Sequence, residues 1–234
     1  VSEDTDVVNL SLSATATVVE GGAITYTATL SNAAGTDVTV NLNNGETITI
    51  AAGSTEGSID VEAPNDVYVG DHTVTANIVS ASGGNFEDLV VDSTAVTTNI
   101  AESTDTTTVA LTASDSVVEG GTITYTATLT SEAASEVTVN LSNGETITIA
   151  AGAISGTVDI TAPDDVYAGG DSVSVNITSA TGGDFENLVV DNTPVTTSIT
   201  DDADVTNLTL SATSTVAEGG TITYVATLDN PADT

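Results

Sequence analysis

The chain has 234 residues, with 34 Asp and Glu against no Lys or Arg, a single His, no Cys and a formal net charge of −34. That balance excludes nucleic acid and anionic membrane as direct partners, because both are held by basic side chains; the lack of Cys excludes disulfides and thiolate metal sites. No apolar run is long enough to insert in a membrane, and neither an initiator Met nor a signal peptide is present, so targeting signals are expected to lie outside this segment.

The predicted elements, in chain order, are all strands. Leu10-Ser11-Leu12-Ser13-Ala14 alternates apolar and polar residues, and Ile24-Thr25-Tyr26-Thr27-Ala28-Thr29-Leu30 does so more regularly. The same period of two recurs in Val38–Leu42, Ile48–Ile50, Ile59–Val61, Val74–Ile78 and Val96–Ile100. An alternation of this kind marks a strand with one face buried. Gly, Asn, Asp and Pro clusters interrupt the strands at short intervals, and no segment carries helical spacing. Seven short strands in about 100 residues predict an all-β, immunoglobulin-like Greek-key sandwich, although the Cys-Trp-Cys hallmark of antibody domains is absent.

The pattern then repeats. Val19-Glu20-Gly21-Gly22-Ala23-Ile24-Thr25-Tyr26-Thr27-Ala28-Thr29-Leu30 returns as Val118–Leu129 and, more degraded, as Ala217–Leu228. Glu20, Glu119 and Glu218 set a period of 99 residues, and no gap is needed between the first two copies: Gly45 maps to Gly144, Pro64 to Pro163 and Phe86 to Phe185. Fixed self-similarity of this length is the mark of a tandem array. The expected domains are 1–105, 106–204 and the start of a third repeat at 205–234. Two strands cannot bury a core alone, so the sequence reads as an excerpt of a longer array.

Placing the acids requires only the strand count. In a seven-strand sandwich the chain crosses once per strand, so the first-to-second, third-to-fourth and fifth-to-sixth turns share one pole with the end of the seventh strand. In the first repeat these segments carry Glu20, Asn43 and Asn44, Asp66 and Asp71, then Glu102 and Asp105. In the second they carry Glu119, Asn143, Asp164, Asp165, Asp171, then Asp201, Asp202 and Asp204. Without Lys or Arg, converging carboxylates are left with water, raised pKa values or a bound cation. Ca²⁺ takes six to eight oxygens in irregular geometry, whereas Mg²⁺ demands a stricter octahedron and Zn²⁺ prefers His or Cys. Calcium at the junctions between neighbouring repeats is therefore the expected cofactor, with the acids just named as its metal ligands. The alternatives stay open: Glu-Gly-Gly as a plain turn, Pro-Asp-Asp as ordinary turn chemistry, and Glu102–Asp105 as a solvated spacer. Phe86 and Phe185 are expected to plug the core end, Glu87, Asp88 and Asp92 lie at the opposite pole, and His72 reads as an exposed loop residue.

Four motifs, in order, carry a resemblance: Glu119–Leu129, Asn143–Gly152, Ala162–Asp171 and Gly182–Asp191. Together they resemble the immunoglobulin-like repeats of LapA-type RTX giant adhesins; the acidic residue before Gly-Gly and the Pro-Asp-Asp loop are also similar to Calx-β calcium-binding modules. The resemblance implies a secreted bacterial cell-surface protein, exported by type I secretion, whose repeats project a distal adhesive domain for attachment and biofilm formation and depend on calcium for rigidity. No ligand-binding, membrane-retention or nonapeptide calcium-repeat segment is present in these 234 residues.

An enzyme is not expected, because the acids fall on loops and are not joined by a repeated His, Cys, Lys or Arg. A carbohydrate- or protein-binding sandwich module is the second class, weakened by the scarcity of exposed aromatic residues. A structural extender explains the near-copy repeats and Thr-rich faces together. Its variant is a self-associating filament, in which the third repeat's strands are complemented by another copy.

Overall fold

A computed structural model describes residues 6–232; the outer ends of the first and third expected domains, 1–5 and 233–234, lie outside the described residues. Among the described residues there is no helix. The chain divides into two compact units, Val1–Asp105 and Thr106–Thr234.

The first unit contains β1 (Val7–Ala14), β2 (Thr17–Val19), β3 (Ala23–Leu30), β4 (Val38–Leu42), β5 (Thr47–Ile50), β6 (Glu56–Glu62), β7 (His72–Ala76), β8 (Ile78–Gly83), β9 (Asp88–Val91) and β10 (Val96–Ala101). Six of the seven alternating segments fall within single strands; Val74–Ile78 is split at Asn77 between β7 and β8, which lie in different sheets, and β2 and β9 are additional. One sheet runs β6-β3-β1-β9. The other face is built from β2-β10-β7 and β5-β4-β8, joined through the chain where Asn77 separates β7 from β8. Most neighbours are antiparallel; β2 on β10 and β9 on β1 are parallel. Alternation sends one side of each strand inward: Ile24, Tyr26, Ala28 and Leu30 of β3 meet Val38, Val40, Ile48 and Ile50 in a single core cluster. This is the immunoglobulin-like sandwich that the pattern predicts, with packing between the two inner faces.

The second unit repeats the design with β11 (Thr106–Ala113), β12 (Ser116–Val118), β13 (Thr122–Leu129), β14 (Val137–Leu141), β15 (Thr146–Ile149), β16 (Ser155–Thr161), β17 (Asp171–Val175), β18 (Ile177–Gly182), β19 (Asn187–Val190) and β20 (Val195–Thr200). Its sheets run β16-β13-β11-β19, β12-β20-β17 and β15-β14-β18. A hairpin of β21 (Leu208–Ala212) and β22 (Tyr224–Leu228) follows, with every residue exposed. Phe86 packs against the first core and Phe185 is buried in the second, the plugging role expected of them.

Pairing at one pole matters most for function. Because β2 runs parallel to β10, with Val19 opposite Ala101, the turn after β2 is delivered beside the end of β10. Antiparallel pairing of β7 with β10 places His72 opposite Ile100 at the same end. Ala63 N–H donates to Gly22 O at 2.8 Å, tying the loop after β6 to the same turn. The second unit repeats all three links, through Val118 opposite Thr200, Asp171 opposite Ile199, and Ala162 N–H to Gly121 O at 2.8 Å.

Candidate metal centres at the acidic poles

Each pole is organised by its Glu-Gly-Gly turn. Gly121 N–H donates to Val118 O at 2.9 Å, closing a four-residue turn whose third position, Gly120, has φ of 64°. Side chains rarely adopt that angle, so Gly fits it at little cost. The next glycine has no room for a side chain, since a Cβ on Gly121 would lie 2.6 Å from Val118 O. The turn conformation and the placement of Glu119 are thus one feature: the tight reversal directs the preceding carboxylate under the loop after β16. Glu119 is 7% exposed, and so is Glu20.

In the second unit, ligand atoms of Glu119, Asp164, Asp202 and Asp204 lie within 4.8 Å of one another. Glu119 Oε2 is buried without a hydrogen-bond partner. Burial, then the charges of Asp165, Asp201 and Asp202, push the Glu119 carboxyl above its usual range, and the Asp202 backbone N–H offsets this in part. Asp204 is raised as well, by burial first and then by Asp202, Asp164, Asp201 and Asp165. Both shifts reflect the cost of holding like charges close together, with Glu119 buried beneath three exposed Asp side chains. A divalent cation would reverse that cost, and four carboxylates offer up to about eight oxygens, the number that calcium takes.

Other expected ligands have different places. Asp165 Oδ1 accepts from Tyr167 N–H at 2.7 Å, and Asp201 Oδ2 accepts from Gly169 N–H at 3.3 Å, so both are anchored beside the group and add to its negative field. Asp171 is exposed at the start of β17. In the first unit Asp71 is exposed, Glu102 is half-buried after β10, and Asp105 Oδ2 accepts from Ser103 Oγ at 3.5 Å.

The amide oxygens expected at the pole are spent elsewhere. Asn43 Oδ1 accepts from Asn77 N–H at 3.0 Å, Asn44 Oδ1 from Glu46 N–H at 3.2 Å, and Asn143 Oδ1 from Glu145 N–H at 3.1 Å. Leu42 pairs with Ile78, so the turn after β4 closes beside the break at Asn77, part-way along the sandwich. At the opposite pole Glu87 Oε2 accepts from Asp6 N–H at 2.8 Å. Asp92 accepts from Thr94, which lowers its pKa, as Thr193 does for Asp191.

His72 is not the loop residue that the sequence suggested. It opens β7, and its Nε2 lies 3.1 Å from Asp66 Oδ2. One ligand atom each from Glu20, Asp66 and His72 falls within 4.8 Å of the others. The available signal was positional, because His72 takes the place that Asp171 holds in the second repeat.

The family model of the LapA domain matches residues 6–103 and 105–202, two tandem copies that coincide with the two complete repeats. No curated protein matches the chain. Among solved structures, E. coli alpha-2-macroglobulin in its native conformation is 11% identical, over 88% of this chain and 18% of that one, with a TM-score of 0.27, a likeness too loose to carry an argument. With two consecutive matches covering most of its length, the chain belongs to the LapA domain family, a family of adhesin-type repeats.

Proposed function

We propose that the chain is part of the structural extender of a secreted bacterial surface adhesin, stiffened by calcium where repeats join, and that it projects a distal adhesive domain for attachment and biofilm formation. The reading is of a noncatalytic module outside the cell. Membership of an adhesin-type repeat family supports it, as do two near-copy sandwiches with Thr-rich outer faces.

One observation carries the calcium element. Glu119 is buried with a free oxygen among Asp164, Asp202 and Asp204, in a chain without a single Lys or Arg to neutralise it. Buried carboxylates in that situation are normally protonated or bound to a cation. At neutral pH outside the cell, where calcium is at millimolar levels, an oxygen-rich site of roughly 10⁻⁴ to 10⁻³ M affinity fills.

Small-angle scattering of the chain in calcium, in magnesium and in chelator tests the reading. In calcium each complete repeat should add roughly 40 Å, from strands of about 3.3 Å per residue plus end loops. Chelator should broaden the distance distribution, and magnesium should not restore it. Identical profiles in all three solutions would refute calcium stiffening.

A second reading has one observation in its favour. Leu208, Leu210 and Tyr224 are 68%, 70% and 66% exposed, whereas their equivalents Val109, Leu111 and Tyr125 are buried in the second repeat. An apolar hairpin face of this kind needs further strands to cover it, and where another copy supplies them a filament results. Mass measured across a range of concentrations separates the readings, because the extender stays monomeric and the filament grows.

A further inference from the structure

The two acidic poles are not chemical copies. At the positions that give Asp164 and Asp202 to the second repeat, the first repeat has Asn65 and Ser103; where the second has Asp171, the first has His72. At these three positions the first pole therefore loses three carboxylates and gains the one imidazole of the whole chain. We propose that Glu20, Asp66 and His72 form a mixed nitrogen–oxygen site for a zinc-class divalent cation, distinct in metal preference from the all-oxygen group of the second repeat.

The hydrogen bonds divide each carboxylate between support and site. Asp66 Oδ1 accepts from Tyr68 N–H at 2.8 Å, which fixes the side chain and leaves Oδ2 facing His72 Nε2 at 3.1 Å. Glu20 Oε2 accepts from Ser103 N–H at 3.4 Å, while Oε1 is buried without a partner. Each acid thus has one oxygen held by backbone and another available, the arrangement in which outer partners orient a metal ligand. His72 is fixed by strand pairing opposite Ile100, and its side chain is 44% exposed. Solvent reaches the site through its partly exposed members, since the Asp66 side chain is 37% exposed beside that of His72, which also borders a recess of about 230 Å³ with Thr17, Asp71 and Asn99.

Ligand chemistry selects the metal. Calcium and magnesium take oxygen donors almost without exception, and an imidazole does not replace a carboxylate for them. Zinc accepts His nitrogen and carboxylate oxygen at about 2.0–2.2 Å, and often uses three protein ligands with water in the fourth place. Ligand atoms around one tetrahedral zinc are then a little over about 3 Å apart, close to the present separation of Nε2 and Oδ2. On binding, Nε2 offers its lone pair and the ring proton resides on Nδ1.

The only histidine of the chain makes a clean probe. Imidazole NMR signals of the intact chain would be followed during titration with zinc chloride in calcium-containing buffer. The expected result is a new set of His72 signals that saturates at one zinc per chain. Glu20→Gln and Asp66→Asn should each weaken zinc binding by at least the roughly 10–100-fold that loss of a supporting partner costs. His72→Asp, which installs the residue of the second repeat, should abolish the tight zinc event in calorimetry while retaining the fold by circular dichroism. Unmoved imidazole signals would overturn the proposal, as would signals that move equally in Glu20→Gln and Asp66→Asn, because that is coordination by a lone histidine. Since the readout sits at His72, the outcome is independent of whether calcium stiffens the repeats.

Discussion

Replacing Glu119 by Gln should change stability in opposite directions with and without calcium. In chelator the wild-type carboxylate is buried, one oxygen has no partner, and Asp164, Asp202 and Asp204 lie within 4.8 Å. Glutamine keeps the shape and removes a charge from that group, so the variant should melt at or above the wild-type temperature. With calcium the wild type gains the linkage term of an ion bound only to the folded state. For a dissociation constant of about 10⁻⁴ to 10⁻³ M and about 10 mM calcium, that term is roughly 1.4–2.7 kcal/mol per site. For a repeat of this size it corresponds to a rise of roughly 5–20 °C. The variant should lose most of that rise, so the two melting curves exchange order between chelator and calcium. Differential scanning calorimetry in both solutions is the assay, with sodium at matched ionic strength as the control for screening. An equal calcium increment in both proteins would show that Glu119 is not a ligand. A variant that melts well below wild type in chelator would refute the repulsion argument itself.

Acid titration offers a related check. Glu119 and Asp204 have folded-state pKa values raised by burial and neighbouring carboxylates, so their penalty is present above the folded value and vanishes below the unfolded one. In chelator, melting temperature should therefore rise as pH falls toward the ordinary carboxylate range of about 4. It should fall again in stronger acid, as Asp92 and Asp191, held low by Thr94 and Thr193, lose bonds that contribute only while they are ionised. Tyr125→Phe deletes a buried hydroxyl that lacks a partner, and should raise stability by up to roughly 1–3 kcal/mol, read by urea denaturation. Gly120→Ala forces a side chain to φ of 64°, costing about 1–2 kcal/mol, and by disturbing the turn it should also reduce the calcium increment. Thr197→Val leaves the Ser114 carbonyl without its 2.7 Å donor inside the sandwich, so a loss of roughly 1–3 kcal/mol is expected.

Periodicity carried the fold. A strand's side chains alternate whatever the partner, so Ile24–Leu30 and Val38–Leu42 announced both strands and inner faces without tertiary information. The 99-residue repeat gave the tandem organisation, and the absence of Lys and Arg dictated that converging acids would need a cation or protons. Strands β2 and β9 were not legible, because segments of three or four residues are too short for alternation to register and exist through parallel pairing with distant partners.

The site was only half legible, and the missing half is a matter of distance across the sheets. Counting turns brought Glu20 together with Asp66, and Glu119 with Asp164, Asp202 and Asp204, on one pole. It could not tell that Asn43 and Asn143 would be used by local backbone, since an Asn side chain chooses between a turn and a site according to which N–H is nearer. Nor could it tell that His72 would open a strand rather than sit in a loop. That outcome depends on β7 pairing with β10 as far as Ile100, which sets the ring against Asp66 and beside Glu20. Sequence fixes which donors a pole owns. Only pairing between strands far apart in the chain decides which oxygens are held by backbone, which is left buried without a partner, and hence how the two poles differ.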